Sequence, residues 1–173
     1  MYELKEYKGD PYKSVNFFPM SDIERIENST NEKYVHIGII EITTGLLRRE
    51  KDGKFFAGCL VRKKQIQLKP EEVVRQLLLN RLNKDYGYSF SNMKVEYPVH
   101  FGRDNSKRAD IVIFDKEKLT SEHIIIEVKK PSAKDGKNQL KSYCHATGAP
   151  IAVWTNGAEI SYYNRIDPNH FKD

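Results

Sequence analysis

Residues 108–131 read RADIVIFDKEKLTSEHIIIEVKKP, two aliphatic runs joined by a polar connector. Runs this rich in Ile and Val are the pattern of strands buried on both faces, and such strands rarely end in opposite charges. Pairing them antiparallel with Asp115 beside Glu122 leaves six residues in the loop and sets Asp110 opposite Glu127. Side chains alternate along a strand, so Glu127 and Lys129 share a face while Val128 takes the other. The pattern therefore predicts that Asp110, Glu127 and Lys129 project into one small volume at the ends of two core strands.

The flanking sequence completes a sheet with helices around it. Pro70 opens PEEVVRQLLLNRLNKDYG, a predicted helix with proline in its first turn, two early glutamates, an apolar stripe of Val74, Leu77, Leu78 and Leu82, and Gly87 as a stop. MKVEYPVHFG precedes the paired strands, and GKNQLKSYCHATG reads as a second helix ending at Gly148. PIAVWT and AEISYYN flank Asn156-Gly157, a dipeptide that favours a type I′ hairpin. The order α-β-β-β-α-β-β predicts an α/β fold, a mixed central sheet flanked by helices. Upstream lie a short helical candidate in SDIERIE, β-like segments in YVHIGIIEITTGLL and FFAGCLV around a turn at residues 51–54, and a short strand in KQIQL. Residues 1–69 are expected to form an extension packed on a core of residues 70–173, the whole being one compact domain.

Bulk properties narrow the class. A chain of 173 residues, 39% hydrophobic and 31% charged, has room for one sizeable core and little more. It holds no apolar run of the roughly 18 residues needed to span a bilayer, and its start lacks the features of a signal peptide. Cys59 and Cys144 stand far apart outside any CxxC spacing, which argues against a disulfide framework and suits a reducing cytoplasm. Five scattered histidines, at positions 36, 100, 123, 145 and 170, have no zinc-ligand spacing. The net charge of +5 permits a nucleic-acid partner, with basic clusters at residues 46–51, 61–64, 102–108 and 128–137. Trp154, inside an apolar run, is expected in the core.

Two carboxylates brought close repel unless a cation lies between them or one keeps its proton. Hard divalent ions are commonly held by one or two carboxylates, waters and phosphate oxygens, and they activate water for phosphodiester attack. Asp110 and Glu127, with the Val128 backbone carbonyl, are thus candidate ligands. Lys129 is placed to hold a phosphate, help deprotonate the attacking water or stabilise the transition state.

These residues resemble the core of the PD-(D/E)xK nuclease superfamily. Asp110 matches the acid of the first half-motif, with Ala109 in place of its usual proline, and Glu127-Val128-Lys129 matches the second half. QLKSY supplies Gln139 and Tyr143, similar to the QxxxY element of one branch, on one helix face where they would contact DNA or support the site. The helix from Pro70 resembles the family helix that contributes a glutamate, with Glu71 and Glu72 both open as that residue. Together with the Thr-Asn-Gly hairpin, the set most resembles the N-terminal nuclease domain of type I restriction enzyme R subunits, over residues 70–163. The resemblance implies a restriction-endonuclease-like core and a Mg²⁺-dependent endodeoxyribonuclease, with Mn²⁺ as a substitute. Double-stranded DNA is the implied partner, together with modification and specificity subunits or a helicase motor of the parent protein. Arg108 and Lys130 are further expected DNA contacts. No GxxxxGK[ST] occurs, so ATP is expected only if a motor domain follows in the parent protein.

The alternative is a non-catalytic module that keeps the nuclease fold to bind DNA or a partner. The complete acid–acid–lysine set argues against it. An enzyme acting on small phosphorylated molecules is weaker still, because no phosphate-cradling glycine-rich loop is present.

Overall fold

A computed structural model describes residues 4–6, 48–51, 54–102, 106–131 and 133–165. Its main sheet is built from β5 (Met93–Pro98), β6 (Arg108–Phe114), β7 (Glu122–Val128), β8 (Ile151–Thr155) and β9 (Ile160–Arg165), joined at the β9 edge by β1 (Leu4–Glu6). The order is β1-β9-β8-β7-β6-β5; β7 and β8 run parallel and every other pair is antiparallel. A smaller antiparallel sheet holds β2 (Arg48–Lys51), β3 (Lys54–Gly58) and β4 (Gln65–Gln67). Among the described residues two α-helices, α1 (Pro70–Lys84) and α2 (Lys137–Thr147), complete the predicted mixed α/β arrangement. The expected helix in residues 21–27 and strands in 34–47 lie outside the described residues.

The aliphatic runs are uninterrupted because both faces of the sheet are covered. Ile111, Ile113, Ile124, Ile126 and Val128 pack with Val74, Leu78 and Leu79 of α1. Val112, Phe114, Ile125, Ala152 and Trp154 pack with Leu140, Tyr143 and Cys144 of α2 on the other face. A helix is the usual way to return the chain between parallel neighbours, and α2 does this between β7 and β8. Trp154 is fully buried, as its apolar setting predicts.

Three local expectations are corrected. The pairs Ile111↔Ile126 and Val112↔Ile125 keep the predicted register near the acids, but a bulge after Ile113 sets Phe114, not Asp115, opposite Glu122. His123 is the extra residue, and the Asp115 N–H bonds the Ser121 carbonyl at 3.0 Å. The β8–β9 connection is a four-residue loop, since Thr155 pairs with Ile160. Only Gly157 in it has positive φ, whereas a type I′ turn needs two such residues. The Asn156 side chain replaces that turn, accepting from the Ala158 and Glu159 N–H groups and donating to the Ala133 carbonyl. Finally, α1 is buried beyond its apolar stripe. Arg75, Gln76 and Asn80 are buried too, and Gln76 bonds the Leu60 N–H and the Cys59 thiol in the turn after β3.

Leu78 is 1% exposed between α1 and the sheet. Leu78→Ala should cost about 2–5 kcal/mol by loss of contacts and the cavity left behind, measured as a lower denaturation midpoint with an unchanged slope.

Candidate active site

The site forms where β6 begins and β7 ends. Asp110 Oδ2 accepts from the Val128 N–H at 2.8 Å, which ties the acid of one strand to the backbone of the other. Lys129 Nζ donates to Glu127 Oε1 at 2.7 Å, and the Lys129 N–H bonds the Thr155 carbonyl of β8 at 2.8 Å. Glu127 has only 2% of its side chain exposed, and its Oε2 has no hydrogen-bond partner. The structure thus brings Asp110, Glu127, Val128 and Lys129 together as the sequence predicts.

The first helix contributes more than the sequence showed. Glu71 faces the acid pair, since the charges of Asp110, Arg75 and Lys129 all act on it. Glu72 is held away, accepting from Arg62 at 2.8 Å, Arg75 at 2.5 Å and Gln76 at 2.8 Å. Of the two glutamates left open, Glu71 is therefore the one beside the site.

Arg75 was not expected there. Its guanidinium is buried among four carboxylates: Glu72 and Glu96 on Nη1 at 2.5 and 2.9 Å, Asp110 and Glu71 on Nη2 at 2.5 and 3.4 Å. The pair with Glu72 is local, at i,i+3, but the contact to Asp110 spans 35 residues and only the fold creates it. Glu96 was missed as well. The β5–β6 ladder skips the position where Glu96 would face Asp110, and Glu96 adopts φ 56° there. Left-handed backbone at a non-glycine residue costs about 1–3 kcal/mol and persists only where surrounding contacts impose it; here the Arg75 pair is one of those contacts.

The remaining expected residues are dispersed. Tyr143 is buried against Phe101, and its hydroxyl accepts from Gln139 Nε2 at 2.6 Å. Burial and then the charge of Glu127 push the phenol above its ordinary value, so its polar end lies within electrostatic reach of the acids. Gln139 itself is exposed. Arg108 is exposed and donates to the Glu96 carbonyl, and Lys130 is exposed beside Lys129.

The electrostatics express a shortage of positive charge. Glu71, Glu72, Glu96, Asp110 and Glu127 face Arg62, Arg75 and Lys129, which leaves the connected set at a formal −2. Burial, reinforced by the charge of Asp110, pushes Glu127 from its ordinary 4.5 to about 7. Burial also raises Asp110, against the opposing pull of Arg75 and the Val128 N–H. For Lys129 burial works downward, but the bond and charge of Glu127 outweigh it and the net direction is up. Among the described residues, no three His, Cys, Asp or Glu side chains converge as metal ligands. Magnesium does not require three, being held by one or two carboxylates plus waters and phosphate oxygens. An unpaired buried oxygen of Glu127 beside Asp110, in a set short of two charges, fits such an ion.

The family model for the Type I restriction enzyme R protein N terminus (HSDR_N) matches residues 70–173, well over half of the chain. The chain belongs to this family. It carries the N-terminal domain of a type I restriction enzyme R subunit. No curated protein and no solved structure matches it significantly. Among the described residues, no helix of this R-subunit domain is long and apolar enough to cross a membrane.

Arg75→Met should destabilise the domain by about 3–5 kcal/mol, because it leaves Asp110 without its ion-pair partner, while Glu72 keeps Arg62. Arg75→Lys should recover only part of this in urea unfolding, since one ammonium cannot bridge both sides. A carboxyl whose pKa is raised by folding holds its proton more tightly in the fold than when unfolded, so stability falls as pH rises through that interval. Between pH 4.5 and about 7 Glu127 should therefore cost the fold on the order of 3 kcal/mol at most. Glu127→Gln should flatten the decline seen on comparing denaturation at pH 5 and pH 8.

Proposed function

We propose that this R-subunit domain is a Mg²⁺-dependent endonuclease with a restriction-endonuclease-like core, hydrolysing phosphodiesters of double-stranded DNA, with Mn²⁺ a working substitute. The observation that carries the reading is the meeting of Asp110, Glu127 and Lys129 at the ends of two core strands, with Glu127 Oε2 buried and unpaired. Membership of the R protein N-terminal family, over residues 70–173, supports a restriction role for the domain that holds them.

Asp110 and Glu127 would hold the cation, joined by the Val128 carbonyl. The chemistry supplied by a bound divalent ion is activation of water and neutralisation of charge on the phosphoryl oxygens. Arg75 and the Val128 N–H occupy the two Asp110 oxygens and fix the carboxylate plane before substrate arrives. Lys129 is an ion-paired cation, which suits hydrogen-bond donation to a phosphate oxygen better than proton abstraction from water. Its ammonium can turn from Glu127 Oε1 to that oxygen without moving its backbone, which β8 holds. Glu71 stands ready to support the cation through water. Tyr143 and Gln139 steady this wall of the site, while exposed Arg108 and Lys130 meet DNA phosphates. Modification and specificity subunits, or a helicase motor of the parent protein, would deliver the DNA; ATP belongs to that motor.

Calorimetric titration with Mg²⁺ or Mn²⁺ should give binding that Asp110→Asn eliminates. Lys129→Ala should lose Mg²⁺-dependent cleavage by at least about 100-fold with unchanged folding, in the chain alone or with its companion subunits where cutting requires them. Undiminished cutting by Lys129→Ala overturns the mechanism. Absence of metal binding even with DNA present would leave a non-catalytic binding module.

A further inference from the structure

The turn leading into α2 reaches back across the acid–lysine pair. Gly136 is the residue before the helix, in left-handed backbone at φ +95°, and its carbonyl accepts the first helical bond from Leu140 N–H. A Cβ there would meet Lys129 Cε at 2.5 Å, and Glu127 Cγ and Lys129 Nζ at 3.4 Å each. Real Cβ atoms do not approach other heavy atoms as closely as 2.5 Å, so the collision is with the Lys129 stem. Glycine is thus required twice, for its dihedral and for the space the lysine occupies.

The turn is tied to the sheet as well as closed by its own bond from the Ala133 N–H to the Lys130 carbonyl at 3.2 Å. Trp154 Nε1 donates to the Asp135 carbonyl at 2.7 Å, and Asn156 Nδ2 donates to the Ala133 carbonyl at 2.9 Å. Lys137 sits over the Trp154 ring at 5.0 Å. Two residues of the β8 end therefore set where Gly136 lies, and Gly136 sets how much room the Lys129 stem has.

We propose that Gly136 is a positioning residue whose bare α-carbon, anchored through Trp154 and Asn156, leaves the space through which the Lys129 stem brings Nζ to the Glu127 carboxylate. The colliding atom is near the end of a flexible side chain, so Gly136→Ala is accommodated by expelling Lys129 rather than by breaking the sheet. Gly87, with φ +70° and nothing within 4 Å of a Cβ, supplies the control, since Gly87→Ala adds backbone strain without a collision.

The catalytic consequence rests on the nuclease reading; the positional one does not. Reductive methylation of the lysines in the full chain, followed residue by residue by mass spectrometry, reads the position directly. Lys129, 17% exposed and ion-paired, should react slowly in the natural sequence. It should react several-fold faster in Gly136→Ala and stay unchanged in Gly87→Ala, the two losing similar amounts of thermal stability. Trp154→Phe, which removes the tether to Asp135 without adding a Cβ, should also speed Lys129 modification. Unchanged Lys129 reactivity in both Gly136→Ala and Trp154→Phe overturns the proposal, whether or not the chain cuts DNA. Where cutting is measured, Gly136→Ala should lower kcat by about 100-fold with Mn²⁺ affinity unaltered; an unaltered kcat would overturn it as well.

Discussion

The buried guanidinium of Arg75 is the fixed point of this domain. It joins α1 to β6 through Asp110, to β5 through Glu96, and to the turn after β3 through Glu72, which also holds Arg62. Buried charge is costly unless paired, and a planar group with several donors can answer several acids in one plane where an ammonium cannot. The arrangement constrains Asp110 from two sides, by a cation from the helix and by an N–H from the neighbouring strand. An acid held that way has little freedom left to lose on binding a ligand.

The sheet supplies the second constraint. Packing on both faces removes water from β6 and β7 along nearly their whole length, so the polar ends of these strands lie in a medium that favours neutral groups. Glu127 answers by rising toward neutrality and by keeping one oxygen on Lys129. The same burial that stabilises the fold thus creates the demand for positive charge that the proposed cation would meet.

Much of this was legible in the chain. Long aliphatic runs, helical spacing in α1 and the glycine that caps α2 mark the elements, while α1 ends at Lys84, three residues short of Gly87. Side-chain alternation puts Glu127 and Lys129 on one strand face near Asp110. The register held near the acids because the apolar pattern fixes it there, and it slipped by one only beyond Ile113, where His123 bulges out of a solvent-facing strand end. Asn156-Gly157 misled because its side chain, rather than two left-handed residues, closes the loop. Arg75 and Glu96 were illegible for a different reason. An arginine on a helix surface and a glutamate in an edge strand look solvated until tertiary packing encloses the arginine and brings the half-exposed glutamate against it. The glutamate that approaches the acids, Glu71, differs from Glu72 only by the rotation of the helix, which sequence spacing left undecided.

The parallel pairing of β7 with β8 has a consequence for synthesis. Lys129 depends on Thr155 for its backbone and on a turn anchored by Trp154 and Asn156 for its side chain. A nascent chain that has emerged only as far as Pro131 therefore holds both acids and the amine, and the Glu127 partner of that amine, but lacks the strand and the turn that complete its setting. Local strand pairing precedes such distant contacts in folding, so this corner is completed only after β8 has emerged and paired with β7.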